Sequence, residues 1–128
     1  MSEENVKAIR GGFDALGRGD LDALVDLYDE DAVFETLLLG THHGKEAIRR
    51  IHQENLANQS GYTVEAVEMI DAGDKVVTVV QTGGAGPVSR ISLDDQFAFV
   101  HTMRDGRIVR EQAFRNREEA LEAAGVSE

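Results

Sequence analysis

Two residues that can move a proton, His101 and Glu111, lie on either side of a predicted turn. The stretch FAFVHTMRDGRIVREQAF, residues 97–114, alternates in polarity around Asp105-Gly106, which predicts two antiparallel strands joined by a tight turn. A carboxylate beside an imidazole orients the ring and favours its charged form. On a shared face, the two residues would form a general acid or base and its partner. The competing interpretation is a structural ion pair in the core.

The turn allows two registers, and they differ in where Glu111 points. A two-residue turn pairs Arg104 with Arg107 and sends His101 and Glu111 to opposite faces of the hairpin. A three-residue turn with Gly106 as a bulge makes His101 and Glu111 diagonal neighbours on one face. The second register is favoured because it avoids setting two arginines opposite each other.

The favoured register also places an apolar row on the face that carries His101. With Phe34 from an earlier strand, the predicted wall comprises Phe97, Phe99, Met103 and Ala113, and Val109 shares this face. Arg115 follows two residues beyond Ala113, where it would neutralise Glu111 or bind an anionic ligand. Apolar walls with few polar groups are typical of sites for small molecules. The sequence therefore predicts a small apolar molecule as the partner.

Composition limits the class of protein. The chain has 128 residues, of which 41% are hydrophobic, as expected for one domain over residues 1–128. The net charge of −11 opposes binding to nucleic acid and to anionic membranes. No run is apolar enough for a membrane helix, and the acidic N-terminus is not typical of a signal peptide. There are no cysteines, which excludes disulfides and suits a cytoplasmic protein.

The elements that must position these residues follow an α+β order. The patterns predict a helix over residues 3–17 with Ser2 as its cap, and a second helix capped by Asp20. A strand over 32–39, a helix after His42-His43, and strands at 62–70 and 75–82 precede the hairpin. A closing helix begins at Asn116. This order predicts helices on one face of a strongly curved antiparallel sheet.

Four other positions have two interpretations each. Tyr28 ends the apolar stripe of the second helix, as a core residue or as part of a binding-site rim. Thr36 offers a hydroxyl to a ligand or reflects strand propensity. Gly12, inside the first helix, leaves space for a ligand or permits close packing. The adjacent pair His42-His43 invites a metal, but no third ligand is suitably spaced, so no metal and no cofactor is predicted. The segment GGAGP, residues 83–87, is predicted to be a loop.

Three ordered stretches resemble the nuclear transport factor 2-like superfamily in its SnoaL-like branch. They are ALGRGDLDALVDLYDEDAVFE, HHGKEAIRRI and FVHTMRDGRIVREQAF. The resemblance implies a cone-shaped α+β barrel with one central pocket. It also implies a homodimer formed through the outer face of the sheet. Members of this superfamily include isomerases, cyclases, hydrolases, dehydratases and non-catalytic binding proteins, so the fold does not determine the activity.

The resemblance also allows two activities to be tested. Where the ketosteroid isomerases carry a base and two oxyanion donors, this chain has Thr36, Gly12 and Phe99. The acid and arginine set of the epoxide hydrolases is likewise replaced, at Phe99, His101 and Ala113. Both activities are therefore disfavoured.

One further polar residue, His52, follows from the same resemblance. It falls where the isomerases place a pocket tyrosine, one residue after the apolar pocket position Ile51. Its interpretations are an acid, base or hydrogen-bond donor, or a histidine at the helix edge.

Two functions remain. One is a cofactor-free acid/base enzyme (a cyclase, isomerase, dehydratase or hydrolase) acting on an apolar, oxygen-bearing molecule. The other is a non-catalytic binding or dimeric scaffold protein.

Overall fold

The computed structural model describes residues 2–37, 40–58, 62–84 and 96–126. Helices in this part of the chain are α1 (Ser2–Arg18), α2 (Leu21–Val25), α3 (Lys45–Asn58) and α4 (Arg117–Ala124). Strands are β1 (Tyr28–Glu35), β2 (Thr41–His43), β3 (Tyr62–Ala72), β4 (Lys75–Gly84), β5 (Gln96–Arg104) and β6 (Arg107–Phe114). No helix of the described ranges is long and apolar enough to cross a membrane.

The six strands form one curved sheet in the order β2-β1-β6-β5-β4-β3. Neighbouring strands run antiparallel, except that β1 and β6 run parallel. The α+β class is confirmed, and the prediction of a wholly antiparallel sheet is wrong at this one pair. The parallel pair is important for the site because it places the first strand beside the strand that carries Glu111.

Apolar side chains cover both faces of the sheet. An inner core on the concave face joins α1, α3 and the sheet, and it includes Ile9, Ile48 and Val76. An outer core lies beneath α4, where Leu121 packs with Val100 and neighbouring residues. Burial on both faces explains the nearly continuous valine run of β4, since neither side of that strand meets water.

Side-chain caps begin two of the helices as predicted. The Asp20 carboxylate accepts from the amide of Ala23 at 3.1 Å, and the Asn116 side chain accepts from the amide of Glu119 at 2.9 Å. Each bond satisfies an amide that the first helical turn leaves unpaired. Ser2 is not a cap, because α1 already includes it.

Three boundaries differ from the predicted ones. Tyr28 begins β1 instead of extending α2, so the strand predicted over 32–39 lies earlier, at Tyr28–Glu35. His42 and His43 belong to the short strand β2, which pairs with β1, and not to a loop. Residues 83–84 end β4, and the remainder of the predicted loop at 85–87 lies outside the described residues.

The turn between β5 and β6 has two residues. Asp105 and Gly106 have φ angles of 53° and 78°, as a type I′ turn requires, and Arg104 pairs with Arg107. The prediction of a three-residue turn is therefore wrong. Both arginines are exposed, so water screens their repulsion and the Asp-Gly turn preference decides the geometry.

A register shift at Val109 restores the contact that this turn alone would have removed. The pairing of β5 with β6 shifts between Met103 and Thr102, and His101 then lies directly opposite Glu111. The two residues are thus cross-strand partners and not diagonal neighbours. The shift also excludes Val109 from the inner row, where Ile108 takes its place in the core.

Candidate functional site

His101 and Glu111 form a close, buried contact at the centre of the hairpin. Nδ1 of His101 lies 2.7 Å from Oε2 of Glu111, and the two residues are 1% and 6% exposed. The oxygen lies off the direction of the N–H bond, so the contact is a close approach and not an aligned hydrogen bond. An ionised carboxylate only accepts, so we assign a proton to Nδ1.

The second carboxylate oxygen of Glu111 is also occupied. The hydroxyl of Tyr28 donates a hydrogen bond to Oε1 of Glu111. The Tyr28 oxygen in turn lies 3.3 Å from Nε2 of His52. These contacts depend on the parallel pairing of β1 with β6, which brings Tyr28 across the sheet to Glu111.

The other nitrogen of His101 contacts a residue that the sequence did not indicate. Oγ1 of Thr78 lies 3.0 Å from Nε2 of His101, and Thr78 is fully buried. One signal was available in the sequence. Thr78 lies between Val76 and Val80 on the same, inward face of β4, so a polar side chain interrupts an apolar row. A buried hydroxyl needs a partner. Thr78, His101, Glu111, Tyr28 and His52 are called the buried network below.

Burial and the charge of Glu111 alter three pKa values in this network. Burial raises the pKa of Glu111, but attraction to the His101 ring and the hydrogen bond from Tyr28 outweigh it and lower that pKa below 4.5. Burial, reinforced by the carboxylate, raises the pKa of Tyr28 well above 10.0. Burial lowers the pKa of His52 from 6.5, although Glu111 partly opposes this. A carboxylate, a phenol and a neutral imidazole are therefore the favoured forms.

Aromatic rings line one side of the buried network. The ring of Phe34 stacks on His52 at 5.7 Å with an interplanar angle of 18°. Phe99 lies 6.2 Å from Phe34 and 5.3 Å from Phe97. Phe97, Phe99 and His52 are half-buried. These four rings, Phe34, Phe97, Phe99 and His52, are called the aromatic wall below.

Other predicted wall residues lie on the same side of the sheet at different depths. Ile51 and Met103 are buried in the inner core. Ala113 is half-buried and pairs with Phe99. The structure thus brings Phe34, Phe97 and Phe99 beside the predicted acid and base residues, while Ile51 and Met103 pack behind them.

Two predicted ligand contacts lie apart from this group. Thr36 follows the end of β1, and its hydroxyl donates to the carbonyl of Gly40 at 2.7 Å across a turn. Arg115 is exposed just beyond the end of β6. The described contacts of the Glu111 carboxylate are with His101 and Tyr28, and Arg115 is not among them.

Gly12 is explained by packing. A Cβ at this position would lie 2.6 Å from Cδ1 of Leu27 and 3.7 Å from Cδ1 of Leu24. The absent side chain therefore makes room for leucines, and the interpretation of Gly12 as ligand space is wrong.

Within the described ranges, no group of three or more potential ligands that could hold a metal is present.

The comparisons with known proteins place this geometry in a family. Residues 9–111 match the profile of the SnoaL-like domain. The chain belongs to the SnoaL-like domain family. Among curated proteins, none matches this chain.

Solved structures share the SnoaL-like fold. A putative polyketide cyclase from Sinorhizobium meliloti is 29% identical, with a TM-score of 0.74 over 88% of this chain and 98% of that one. Bal32a from a soil-derived mobile gene cassette is 21% identical, with a TM-score of 0.80 over 95% and 96%. A Catenulispora acidiphila protein with a ketosteroid isomerase-like fold, in complex with trimethylamine, is 20% identical, with a TM-score of 0.74 over 94% and 93%. The cone-shaped fold of this SnoaL-like chain is thus established.

Proposed function

We propose that this SnoaL-like protein is a cofactor-free enzyme that performs acid/base chemistry on an apolar, oxygen-bearing small molecule. The observation that carries the proposal is the buried His101–Glu111 pair, held at 2.7 Å. Taking a carboxylate out of water is costly, and a fold that needed only stability would gain as much from apolar residues. Here the carboxylate is linked to two histidines and a tyrosine, which are groups that exchange protons.

The surroundings of the pair support a reaction on an apolar substrate. Three of the four rings of the aromatic wall are half-buried beside the network, and ring faces bind flat, apolar molecules. The 29%-identical structure from Sinorhizobium meliloti is described as a putative polyketide cyclase, which fits proton transfer at carbon. Cyclisation, isomerisation, dehydration and hydrolysis all remain within this proposal, since each uses proton transfer.

A direct test follows the removal of a proton from carbon. Tetralone is a flat, apolar ketone with exchangeable protons beside its carbonyl. In deuterium oxide, a base that takes such a proton allows deuterium to replace it, and proton NMR records the loss of signal. We expect the protein to accelerate this exchange above the buffer rate, and we expect His101→Gln and Glu111→Gln to reduce the acceleration by roughly 100-fold, the lower range for general acid/base catalysis.

Matched controls separate this chemistry from general damage. His43→Gln changes an exposed histidine on β2, and Glu35→Gln removes a half-buried partner of the exposed Arg110. Both should exchange tetralone at the wild-type rate. Thermal melting of each variant identifies loss of folding. Wild-type protein that exchanges neither tetralone nor related cyclic ketones above buffer would refute the enzyme proposal.

One observation favours a second function, binding without catalysis. Both ring nitrogens of His101 already have contacts, with Glu111 and with Thr78. A histidine contacted at both nitrogens can also be a structural part of a binding site, without a catalytic role. In that case tetralone would bind, as seen by shifts in the protein NMR spectrum, without any exchange of its protons.

A homodimer is part of the same proposal. The helix α4 covers part of the outer sheet face through Leu121 and Ala120, so a dimer through that face would use the area that α4 leaves open. Sedimentation at micromolar concentration should then give twice the 14.0 kDa mass of one chain. A species of 14.0 kDa alone would contradict it.

A further inference from the structure

The hydrogen-bond inventory of the buried network determines the proton positions on His52. Tyr28 has one hydroxyl proton, and it points to Oε1 of Glu111, which as a carboxylate can only accept. The same hydroxyl therefore has no proton left for His52. The contact of 3.3 Å between the Tyr28 oxygen and Nε2 of His52 can then be a hydrogen bond only if Nε2 donates. A neutral His52 ring with its proton on Nε2 has a lone pair on Nδ1.

The surroundings of His52 leave this lone pair available. Within the described part of the chain, the His52 ring contacts the Tyr28 hydroxyl through Nε2 and packs against the rings of Phe34 and Tyr28. Among the described residues, Nδ1 of His101 is the fully buried side-chain nitrogen or oxygen that lacks a hydrogen-bond partner, and Nδ1 of His52 does not share this condition. His52 itself is half-buried. By contrast, His101 is 1% exposed and has contacts at both nitrogens. Of the two histidines, His52 is the more exposed.

We propose that Nδ1 of His52 is the atom that accepts a proton or hydrogen bond from the ligand, and that Tyr28 is the positioning residue that fixes this tautomer. The ligand class follows from the same geometry, and this part rests on the proposed function. A lone pair selects a donor, so the ligand carries an O–H or an acidic C–H group. The stacked rings of Phe34 and His52 select a planar, apolar body.

The charge of Glu111 restricts the ligand further. Its carboxylate lies two hydrogen bonds from the His52 ring, through the hydroxyl of Tyr28. A negative charge at this position opposes an anionic ligand. Arg115, the cation that the sequence placed nearby, is exposed beyond β6. The site therefore takes a neutral hydrogen-bond donor in preference to a carboxylate or phosphate.

The tautomer can be read without any substrate. In protein labelled with ¹⁵N-histidine, two-bond proton–nitrogen spectra distinguish a ring protonated on Nε2 from one protonated on Nδ1, and the His52→Phe variant identifies the His52 signals. We expect Nε2–H at neutral pH. Tyr28→Phe should give a mixture of tautomers while the melting transition stays cooperative. A wild-type ring protonated on Nδ1 would overturn the proposal.

The ligand class is tested with three matched probes: naphthol, its methyl ether and naphthoate. Naphthol should bind and shift Nδ1 of His52. The ether, which lacks the donor, should bind roughly 3- to 10-fold more weakly, the range for one neutral hydrogen bond, and naphthoate more weakly still. His52→Phe keeps an aromatic ring beside Phe34, and in this variant naphthol and the ether should bind equally. His43→Gln is the control and should behave as the wild type does.

Each result has a defined meaning. Equal binding of naphthol and ether to the wild type, tighter binding of naphthoate, or no binding of naphthol would overturn the ligand assignment. If His52→Phe does not fold, the comparison of naphthol with its ether on wild-type protein decides the question alone. Protein that binds naphthol through Nδ1 but does not exchange tetralone would refute the enzyme proposal and leave this inference intact.

Discussion

Nδ1 of His101 and Oε2 of Glu111 lie 2.7 Å apart, at directly paired positions on β5 and β6. The carboxylate also accepts a hydrogen bond from Tyr28. Glu111 on β6 is therefore contacted from β5 by His101 and from β1 by Tyr28. A charge in the interior is stable only while its partners remain. Much of the stability of this fold should therefore depend on Glu111.

Removing the charge of Glu111 tests this dependence. Glu111→Gln leaves His101 and Tyr28 with an imperfect partner, and we expect the free energy of unfolding to fall by about 3 kcal/mol or more, as for other broken buried pairs. Urea unfolding measures the change. Glu35→Gln, which breaks an exposed ion pair with Arg110, should cost no more than about 1 kcal/mol. Equal losses for the two variants would contradict the prediction.

The free energy of unfolding should also decrease in two stages as the pH is lowered. In the folded chain the pKa of His52 lies below 6.5 and that of Glu111 below 4.5, so in both cases the unfolded chain binds the proton more readily. Each group stabilises the folded state at pH values above its pKa in the unfolded chain. This stabilisation is lost as the pH falls from that value through the pKa in the folded chain. Urea unfolding between pH 7 and about pH 3 should show one loss beginning below 6.5 and another below 4.5. His52→Phe should flatten the first stage and Glu111→Gln the second, and unchanged profiles would refute these assignments.

The hydrogen bond from Tyr28 to Glu111 should couple the two residues energetically. Tyr28→Phe removes a bond to a charged group and is expected to cost about 1.5–3 kcal/mol. The same change in a Glu111→Gln background should cost clearly less, because the charge is already gone. Urea unfolding of the four proteins in this double-mutant cycle gives the coupling energy. Additive losses would show that the contact contributes no coupling.

The adjacent glycines of α1 provide a matched pair for testing packing. A Cβ at Gly11 would meet nothing within 4 Å, whereas one at Gly12 would approach Cδ1 of Leu27 at 2.6 Å. Gly11→Ala should raise stability by about 0.5–1 kcal/mol through helix propensity. Gly12→Ala should lack this gain, because Leu27 must move. Thermal melting compares the two variants, and a larger gain for Gly12→Ala would contradict the packing interpretation.

The fold was predictable because its signals are local. The apolar stripe of α1 and the caps at Asp20 and Asn116 each depend on residues within a few positions, and the structure contains them. The boundary at Tyr28 was not predictable in this way. Tyr28 continues the helical spacing of Leu24, yet pairing with β6 draws it into β1, and no local pattern reports a partner strand about 80 residues away.

The site was predicted in part, and for a reason that differs from the real one. His101 and Glu111 share a face as proposed, but through a shift at Val109 and not through the turn. Thr78 was missed because threonine is common in strands, so its type alone carries no signal. Its importance comes from the nitrogen opposite it, which only the three-dimensional register reveals. The cytoplasmic location and the single domain over residues 1–128 stay predictions.

The register shift at Val109 accommodates one extra residue in β6 between the turn and Glu111. Substitutions at position 109 leave the count unchanged, and Glu111 still faces inward. Deletion of that one codon would remove the bulge, keep Arg110 opposite Thr102 and keep Glu111 opposite His101, because the pairs nearer the turn are unchanged. A regular β6 of the present length would instead set Arg110 opposite His101, so the bulge at Val109 is what keeps an acid, and not a base, on the inner face.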